Sequence, residues 1–120
     1  MLKIEAKLKQ KVFFNGNLVS KVVVDVEHVN KGSGNTRNTN FKAEQVANEF
    51  IQIARRFGSR AAPLYKPTKV IKPFVYFYCI NFIPSFAKVN YFMKFVYNKK
   101  YRSVYIITMY CRPLKDREEK

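Results

Sequence analysis

The last third of the chain holds three consecutive apolar and aromatic stretches, and these constrain the fold more than any other feature. They run from Phe74 to Ile83, from Val89 to Tyr97 and from Arg102 to Cys111. Each is rich in the aromatic and β-branched residues that favour strands. Two residues, proline and serine, break the first stretch from the second, and three polar residues join the second to the third. Because such short connections join antiparallel neighbours, we predict a three-stranded meander.

One amphipathic helix is predicted from about Phe41 to Phe57. Apolar residues recur there every three or four positions, which places them on the face of a helix that packs against a sheet. Asn40 can cap its first turn, and Gly58 is a natural stop after its last. The apolar stripe consists of Ala43, Val46, Ala47, Phe50, Ala54 and Phe57.

The N-terminal part favours a β-hairpin. Charged and apolar residues alternate from Lys3 to Val12, as in a half-buried strand, although a helix remains an alternative there. The tight-turn sequence Asn-Gly-Asn follows at residues 15–17, and a valine-rich second strand runs from Leu18 to Glu27. We therefore expect His28 to close this strand and to open a polar, glycine-containing loop over residues 29–40.

These elements together predict an α+β fold in one domain that spans residues 1–120. Prolines at positions 63, 67 and 73 exclude a helix or a central strand between residues 59 and 73. The expected antiparallel sheet packs its C-terminal meander against the main helix, after the N-terminal hairpin. Residues 112–120 are mostly charged and are expected to form a tail.

The charge of the chain indicates a polyanionic partner. The sequence has 23 Lys plus Arg against 8 Asp plus Glu, which gives a formal net charge of +15. Such an excess is typical of proteins that bind nucleic acid, and less often of proteins that bind an acidic protein or an anionic membrane. No apolar run is long enough to span a membrane, and no secretory signal is expected at the N-terminus.

Metal chemistry is not favoured by the distribution of acidic and sulfur ligands. The eight carboxylates are scattered, whereas Mg²⁺ needs oxygen ligands that converge on one point. Cys79 and Cys111 are too few for a disulfide framework or a cysteine-built metal site. We expect both to be reduced and buried thiols, and we expect no cofactor.

His28 is the one side chain whose unperturbed pKa lies near neutrality. Lys31, Arg37 and Lys42 follow it within one loop and the helix start, among several hydroxyl and amide side chains. Cationic donors can hold the non-bridging oxygens of a phosphodiester while an imidazole moves protons. The alternative is a loop that merely contacts phosphate.

A second candidate set lies at the end of the last strand. Thr108 interrupts an otherwise apolar stretch, and a buried hydroxyl needs a hydrogen-bond partner. Tyr110 and Arg112 follow on the same side, and together these groups can orient a phosphate or the base beside it. The alternative is that Thr108 is simply a good strand former. Some tyrosines of this half can also stack on the bases of a single strand, although most must belong to the core.

These features together resemble a known superfamily. A histidine, a polar basic loop, the helix start FKAEQV at residues 41–46 and a final strand VYIITMY at residues 104–110 occur in this order. The pattern resembles the barnase/EndoU/colicin/RelE-like (BECR) superfamily of small ribonuclease toxins, such as toxin domains of contact-dependent inhibition proteins. It covers roughly residues 25–112. Lys42 departs from it, because a Ser or Thr cap is common there, and the N-terminal hairpin has no counterpart.

The resemblance implies a metal-independent ribonuclease in which the 2′-OH attacks the adjacent phosphate. His28 would act as general acid or base, Lys31 or Arg37 would stabilise the developing charge, and Thr108 and Tyr110 would position the phosphate. Lys42 and Arg112 would bind the substrate, which is tRNA or mRNA. It also implies a cognate acidic immunity protein or antitoxin, and action in the cytoplasm, including after delivery as part of a larger secreted protein.

Two alternatives of other classes stay open on the sequence. The first is a non-catalytic nucleic-acid-binding module, for example a phage or plasmid accessory protein. The second is a basic protein that inhibits an acidic partner. The first should bind RNA without cleaving it, and the second should bind RNA weakly at physiological salt.

Overall fold

The structure, a computed structural model, describes residues 3–31, 40–56 and 66–111. This part of the chain has an α+β fold with a six-stranded mixed sheet, a small second sheet and two helices, which confirms the predicted fold class. The elements are β1 Lys3–Ala6, β2 Val12–Phe14, β3 Asn17–Val19, β4 Lys21–Asp25, α1 Val26–Lys31, α2 Ala43–Arg56, β5 Lys69–Lys72, β6 Val75–Phe82, β7 Tyr91–Asn98 and β8 Ser103–Cys111.

The main sheet has the strand order β1-β4-β8-β7-β6-β5. The predicted meander is confirmed, because β6, β7 and β8 pair antiparallel in sequence order. β4 pairs with β8 in parallel, so the first part of the chain completes a sheet that is built largely from its last part. Among the described strands this is the one parallel pair, and the sequence analysis did not predict it.

One face of the main sheet, here called the inner face, packs against α2 and the β2–β3 hairpin. Phe14 of the hairpin lies at the centre of this core, with its ring centroid 5.7 Å from that of Phe50 on α2. The same ring lies 5.4 Å from Phe95 and 5.0 Å from Tyr78 of the sheet. Edge-to-face and tilted contacts of this kind are favourable aromatic geometries, so one hairpin residue joins three elements.

The N-terminal hairpin is present, but it is shorter than predicted. The expected strand from Lys3 to Val12 divides, because β1 pairs with β4 of the main sheet whereas β2 pairs with β3. One straight strand cannot serve both partners, so the chain leaves the sheet after Ala6. The turn forms where it was predicted, with Asn15 at φ 52° and Gly16 at φ 81°. Two consecutive left-handed residues are typical of tight hairpins with Asn-Gly turns.

The second predicted strand, Leu18–Glu27, also ends early and is followed by a helix rather than a loop. β3 and β4 cover residues 17–19 and 21–25, and α1 begins at Val26. His28 therefore lies in the first turn of a helix, not at the end of a strand. The physical reason is Asp25, whose Oδ1 accepts a hydrogen bond from the backbone N–H of His28 at 3.1 Å and so caps the helix.

The main helix, α2, begins two residues later than predicted. The carbonyl oxygen of Lys42 accepts the first helical bond from the N–H of Val46 at 3.0 Å, so Lys42 and not Asn40 is the capping residue. Gln45 Oε1 accepts a hydrogen bond from the N–H of Lys42 at 3.5 Å, which is half of a capping box. The predicted stop at Phe57 and Gly58 lies outside the described residues.

The segment around the three prolines contributes an edge strand and no central one. β5 lies between Pro67 and Pro73 at the border of the sheet, which agrees with the prediction. The cysteines differ from expectation: both are free, but Cys79 is half-buried and Cys111 is exposed. Cys79 lies on the side of β6 away from the core, and Cys111 is the last residue of β8. The described helices include none that is long and apolar enough to cross a membrane.

Candidate nucleic-acid site

The parallel pairing of β4 with β8 brings the two predicted sets of site residues together. Val24 of β4 lies opposite Ile106 of β8, and α1 starts two residues after Val24. β8 continues for five residues beyond Ile106, and α1 packs against it. The helix that carries His28 and the strand end that carries Thr108 therefore lie side by side. We call this junction of α1 with residues 107–111 the α1–β8 site.

Asp25 ties the two elements of the site together. Its side chain is buried, with 4% of its surface exposed. While Oδ1 caps α1, Oδ2 accepts a hydrogen bond from the hydroxyl of Tyr105 on β8 at 2.9 Å. Burial, and then the neighbouring Asp25 carboxylate, raise the pKa of Tyr105 to about 12. The hydroxyl thus stays a donor at neutral pH and holds the carboxylate in place.

His28 and Lys31 lie in adjacent turns of α1. The side chain of His28 is half-buried, and that of Lys31 is exposed. Lys31 Nζ lies 3.4 Å from Glu27 Oε2, an exposed pair of the i, i+4 type. Because pairs of this kind stabilise a helix only weakly, the lysine can exchange Glu27 for another anion.

A side-chain clamp holds α1 to the start of α2. Asn30 Oδ1 accepts a hydrogen bond from the N–H of Phe41 at 2.7 Å, and Asn30 Nδ2 donates one to the Phe41 carbonyl oxygen at 3.0 Å. These two bonds close the connection that contains residues 32–39. Lys42 follows directly and is exposed. Arg37, which belongs to the same predicted set, lies outside the described residues.

Thr108 is buried on the side of β8 that faces away from the core. The ladder shifts between Lys94 and Phe95, so Phe95 lies opposite Ile106 while Lys94 lies opposite Thr108. Such a bulge changes the facing of the residues that follow it. Thr108 is 5% exposed, and its hydroxyl has no hydrogen-bond partner within residues 3–31, 40–56 and 66–111. Most buried hydroxyls in proteins have a hydrogen-bond partner, so the unpaired Thr108 hydroxyl needs an explanation.

Tyr110 shares this face of the sheet, here called the outer face, as predicted. Its ring stacks on that of Phe92 at a centroid distance of 5.9 Å and an angle of 14°. Lys94 Nζ lies 5.6 Å from the centre of the Tyr110 ring, within the range of a cation–π contact. A cation over a stacked aromatic pair is suited to a nucleotide, whose base can stack and whose phosphate can pair with the lysine. Arg112 lies outside the described residues.

Further side chains of the outer face were not singled out from the sequence. The strand registers place Val23, Tyr105, Val96 and Phe77 in one row across four strands, and all four are half-buried. Lys3 Nζ lies 5.0 Å from the centre of the Tyr105 ring. The row is apolar and aromatic, whereas a solvated sheet face is usually polar. The alternation of residues in β4 and β8 indicates which side chains share a face within each strand. It does not give the strand order, so the sequence alone does not show that these side chains form one surface.

The role of Asp25 as a helix cap is also visible in the sequence, although it was not predicted above. An aspartate stands three residues before His28, and that spacing is typical of a capped helix N-terminus.

The described residues contain no cluster of three or more His, Cys, Asp or Glu side chains that could hold a metal ion.

Comparisons of the chain with protein-family models, with curated proteins and with solved structures found no match.

Proposed function

We propose that the chain is a metal-independent endoribonuclease of the BECR type, acting as a toxin with its active centre at the α1–β8 site. The observation that carries this proposal is the parallel pairing of β4 with β8, since it puts the His28 helix against the end of β8 that carries Thr108 and Tyr110. The elements that carry an imidazole, a hydroxyl and a lysine-bearing aromatic pair thus meet at one end of the sheet in a strongly basic protein.

The reaction proposed is a transesterification, in which the phosphoryl group passes from the 5′ oxygen to the neighbouring 2′ oxygen of the RNA. The 2′ oxygen forms a bond to phosphorus, the bond to the 5′ oxygen breaks, and the products are a 2′,3′-cyclic phosphate and a 5′-OH. His28 takes the proton from the 2′-OH or delivers one to the leaving 5′ oxygen, and solvent water exchanges the other proton. Lys31 or Arg37 stabilises the charge that develops on the phosphate.

The remaining residues of the site bind and position the substrate. Thr108 positions the phosphate, for which its buried hydroxyl has to become accessible when the RNA binds. Tyr110 with Lys94 offers a stacking surface and a cation. Lys42 and Arg112 extend the basic rim. The same excess of positive charge suits the acidic immunity protein or antitoxin that such a toxin requires.

The test is cleavage of a labelled RNA pool by the purified chain in EDTA, followed by analysis of the fragment ends. We expect cyclic-phosphate and 5′-OH ends, and we expect His28→Ala to lose roughly 10²–10⁴-fold in rate while it keeps its RNA affinity. Lys31→Ala should also slow cleavage, whereas Lys7→Ala, a matched change of charge elsewhere, should not. Cleavage that EDTA abolishes, or a folded His28→Ala variant with full activity, contradicts the proposal.

A second candidate function is non-catalytic binding of single-stranded nucleic acid. The observation that favours it is the aromatic and basic outer face, in particular Lys94 over the stacked Tyr110 and Phe92 rings. In that case the wild type binds RNA without cutting it, and His28→Ala changes neither property. Tyr110→Ala would then weaken binding by the loss of one stacked base, about 1–3 kcal/mol.

A further inference from the structure

A basic cavity lies at the end of the sheet remote from the α1–β8 site. The turn of the β2–β3 hairpin and the turn between β7 and β8 border an open cavity of about 390 Å³. β4 and β8 both run from this end towards α1. Tyr110 is seven positions after Ser103, the first residue of β8 beside the cavity, which amounts to roughly 20 Å at the rise of a strand. The cavity is lined by Gly16, Asn17, Leu18, Tyr97, Lys99 and Arg102.

Two cations without a carboxylate partner line this cavity. Lys99 and Arg102 are exposed, and neither forms an ion pair with a carboxylate of the described residues. Gly16 contributes no side chain to the opposite wall, and the space beside its Cα is open. Arginine and lysine without an acidic neighbour, beside open space, are suited to an anion.

Arg102 stands in a conformation that an arginine rarely adopts. Its φ is +55°, in the left-handed region where glycine and asparagine are favoured. The position is firmly held, because the N–H and the hydroxyl of Ser20 donate hydrogen bonds to the Arg102 carbonyl oxygen at 2.8 and 3.2 Å. An unfavourable residue in a well-fixed turn points to a use for its side chain.

A third polar residue, Tyr97, contributes to the wall of the cavity. Its buried hydroxyl has no hydrogen-bond partner in the part of the chain that the structure describes. Burial raises the pKa of Tyr97, and the charge of Arg102 acts on it in the opposite direction. The hydroxyl therefore stays protonated at neutral pH and lies within electrostatic reach of Arg102.

From these observations we infer that the cavity is a binding site for a phosphate group, held by Lys99 and Arg102. The phosphate belongs either to the backbone of an RNA or to a small free phosphate. The site is separate from the α1–β8 site, and the inference does not depend on ribonuclease activity.

The test uses Arg102→Gly, with Lys100→Ala as the matched control. Glycine suits the left-handed backbone, so Arg102→Gly should fold and unfold at the same temperature as the wild type or a higher one. Lys100→Ala removes one charge from the same turn, but Lys100 does not line the cavity. Inorganic phosphate and a short single-stranded RNA are titrated separately, with affinity from calorimetry and with amide shifts of residues 16–18 and 97–102 from NMR.

We expect Arg102→Gly and Lys99→Ala to weaken phosphate binding about tenfold, and Lys100→Ala to weaken it far less. A tenfold loss with inorganic phosphate alone identifies a small free phosphate as the ligand, and a parallel loss with the RNA identifies its backbone. Amide shifts that are absent from the cavity, or equal losses in all three variants, overturn the inference. His28→Ala should bind phosphate here as the wild type does, which separates this site from the fate of the proposed activity.

Discussion

At the scale of the single residue, Asp25 determines how the α1–β8 site is built. One oxygen of its carboxylate caps α1 and the other accepts the hydroxyl of Tyr105, so the residue fixes the helix relative to the strand. Buried carboxylates persist in proteins when hydrogen bonds satisfy them. Here one donor is a near neighbour in the chain and the other, Tyr105, is 80 residues away from Asp25, so one residue aligns both halves of the site.

The raised pKa of Tyr105 leads to a prediction about alkaline stability. Its pKa is about 12 in the folded protein against an ordinary value of 10.0. The unfolded state therefore loses this proton first, and the contribution of Tyr105 to stability, complete below pH 10, should decline as the pH rises towards 12. Urea unfolding of the wild type and of Tyr105→Phe from pH 8 to pH 12 measures it.

We expect the free energy of unfolding to fall more steeply with pH in the wild type than in Tyr105→Phe. Tyr101→Phe is the control, because Tyr101 is 68% exposed and should follow the wild type. Lysines also titrate in this range, but equally in all three proteins. Parallel curves for the wild type and Tyr105→Phe would show that the hydroxyl is not held as described.

At the scale of elements, local patterns predicted α2 and the meander, but neither α1 nor the parallel pairing of β4 with β8. α2 has 14 residues, enough for a period of 3.6 to be visible, and the meander strands have eight or nine. α1 has six residues, fewer than two turns, so its pattern is indistinguishable from an extension of the valine-rich β4. The parallel pairing leaves no local signal at all, because a buried strand accepts either direction.

The two hydrogen bonds that clamp α1 to the start of α2 should contribute measurably to the free energy of unfolding. Asn30→Ala removes both hydrogen bonds to Phe41 and leaves the backbone groups without their partners, so we expect a loss of about 1–3 kcal/mol in the free energy of unfolding. Asn30→Asp keeps the acceptor for the Phe41 N–H and loses the donor, and it should lie between Asn30→Ala and the wild type. Chemical denaturation of the three proteins gives the order.

The clamp also bears on the proposed activity, because it fixes both ends of the connection that contains Arg37. At a temperature where Asn30→Ala is fully folded, we expect slower RNA cleavage than in the wild type. Lys66→Ala, an exposed change far along the chain, serves as the control. If Asn30→Ala is as stable and as active as the wild type, the two hydrogen bonds have no positioning role.

At the scale of the whole molecule, the charge of +15 dominates the expected binding behaviour. Each phosphate that the protein neutralises releases a counterion, so the logarithm of the RNA association constant should fall linearly with the logarithm of the salt concentration. The slope expected is about −0.7 per phosphate contact for single strands. Fluorescence anisotropy with a labelled oligonucleotide between low and physiological salt measures it.

The slope gives the number of phosphate contacts, and single substitutions show which of these contacts each site contributes. If RNA occupies both the α1–β8 site and the remote cavity, Arg102→Gly should reduce the slope by the contribution of one contact. Lys31→Ala should reduce it by a similar amount at the other end. An affinity that does not change with salt contradicts any role for the excess charge in nucleic-acid binding.

The pairing of β4 with β8 also bears on the order in which the protein is made. Ser20 and Arg102, which join at the start of that pair, are 82 positions apart, so the ribosome finishes β4 long before β8 exists. At translation speeds of about 5–20 residues per second, the interval is roughly 4–16 s. During it, α1 lacks its β8 partner, and Asp25 has no Tyr105. A nascent chain therefore carries all of the α1 side chains but no assembled site, and any chemistry the site performs begins after translation has passed β8.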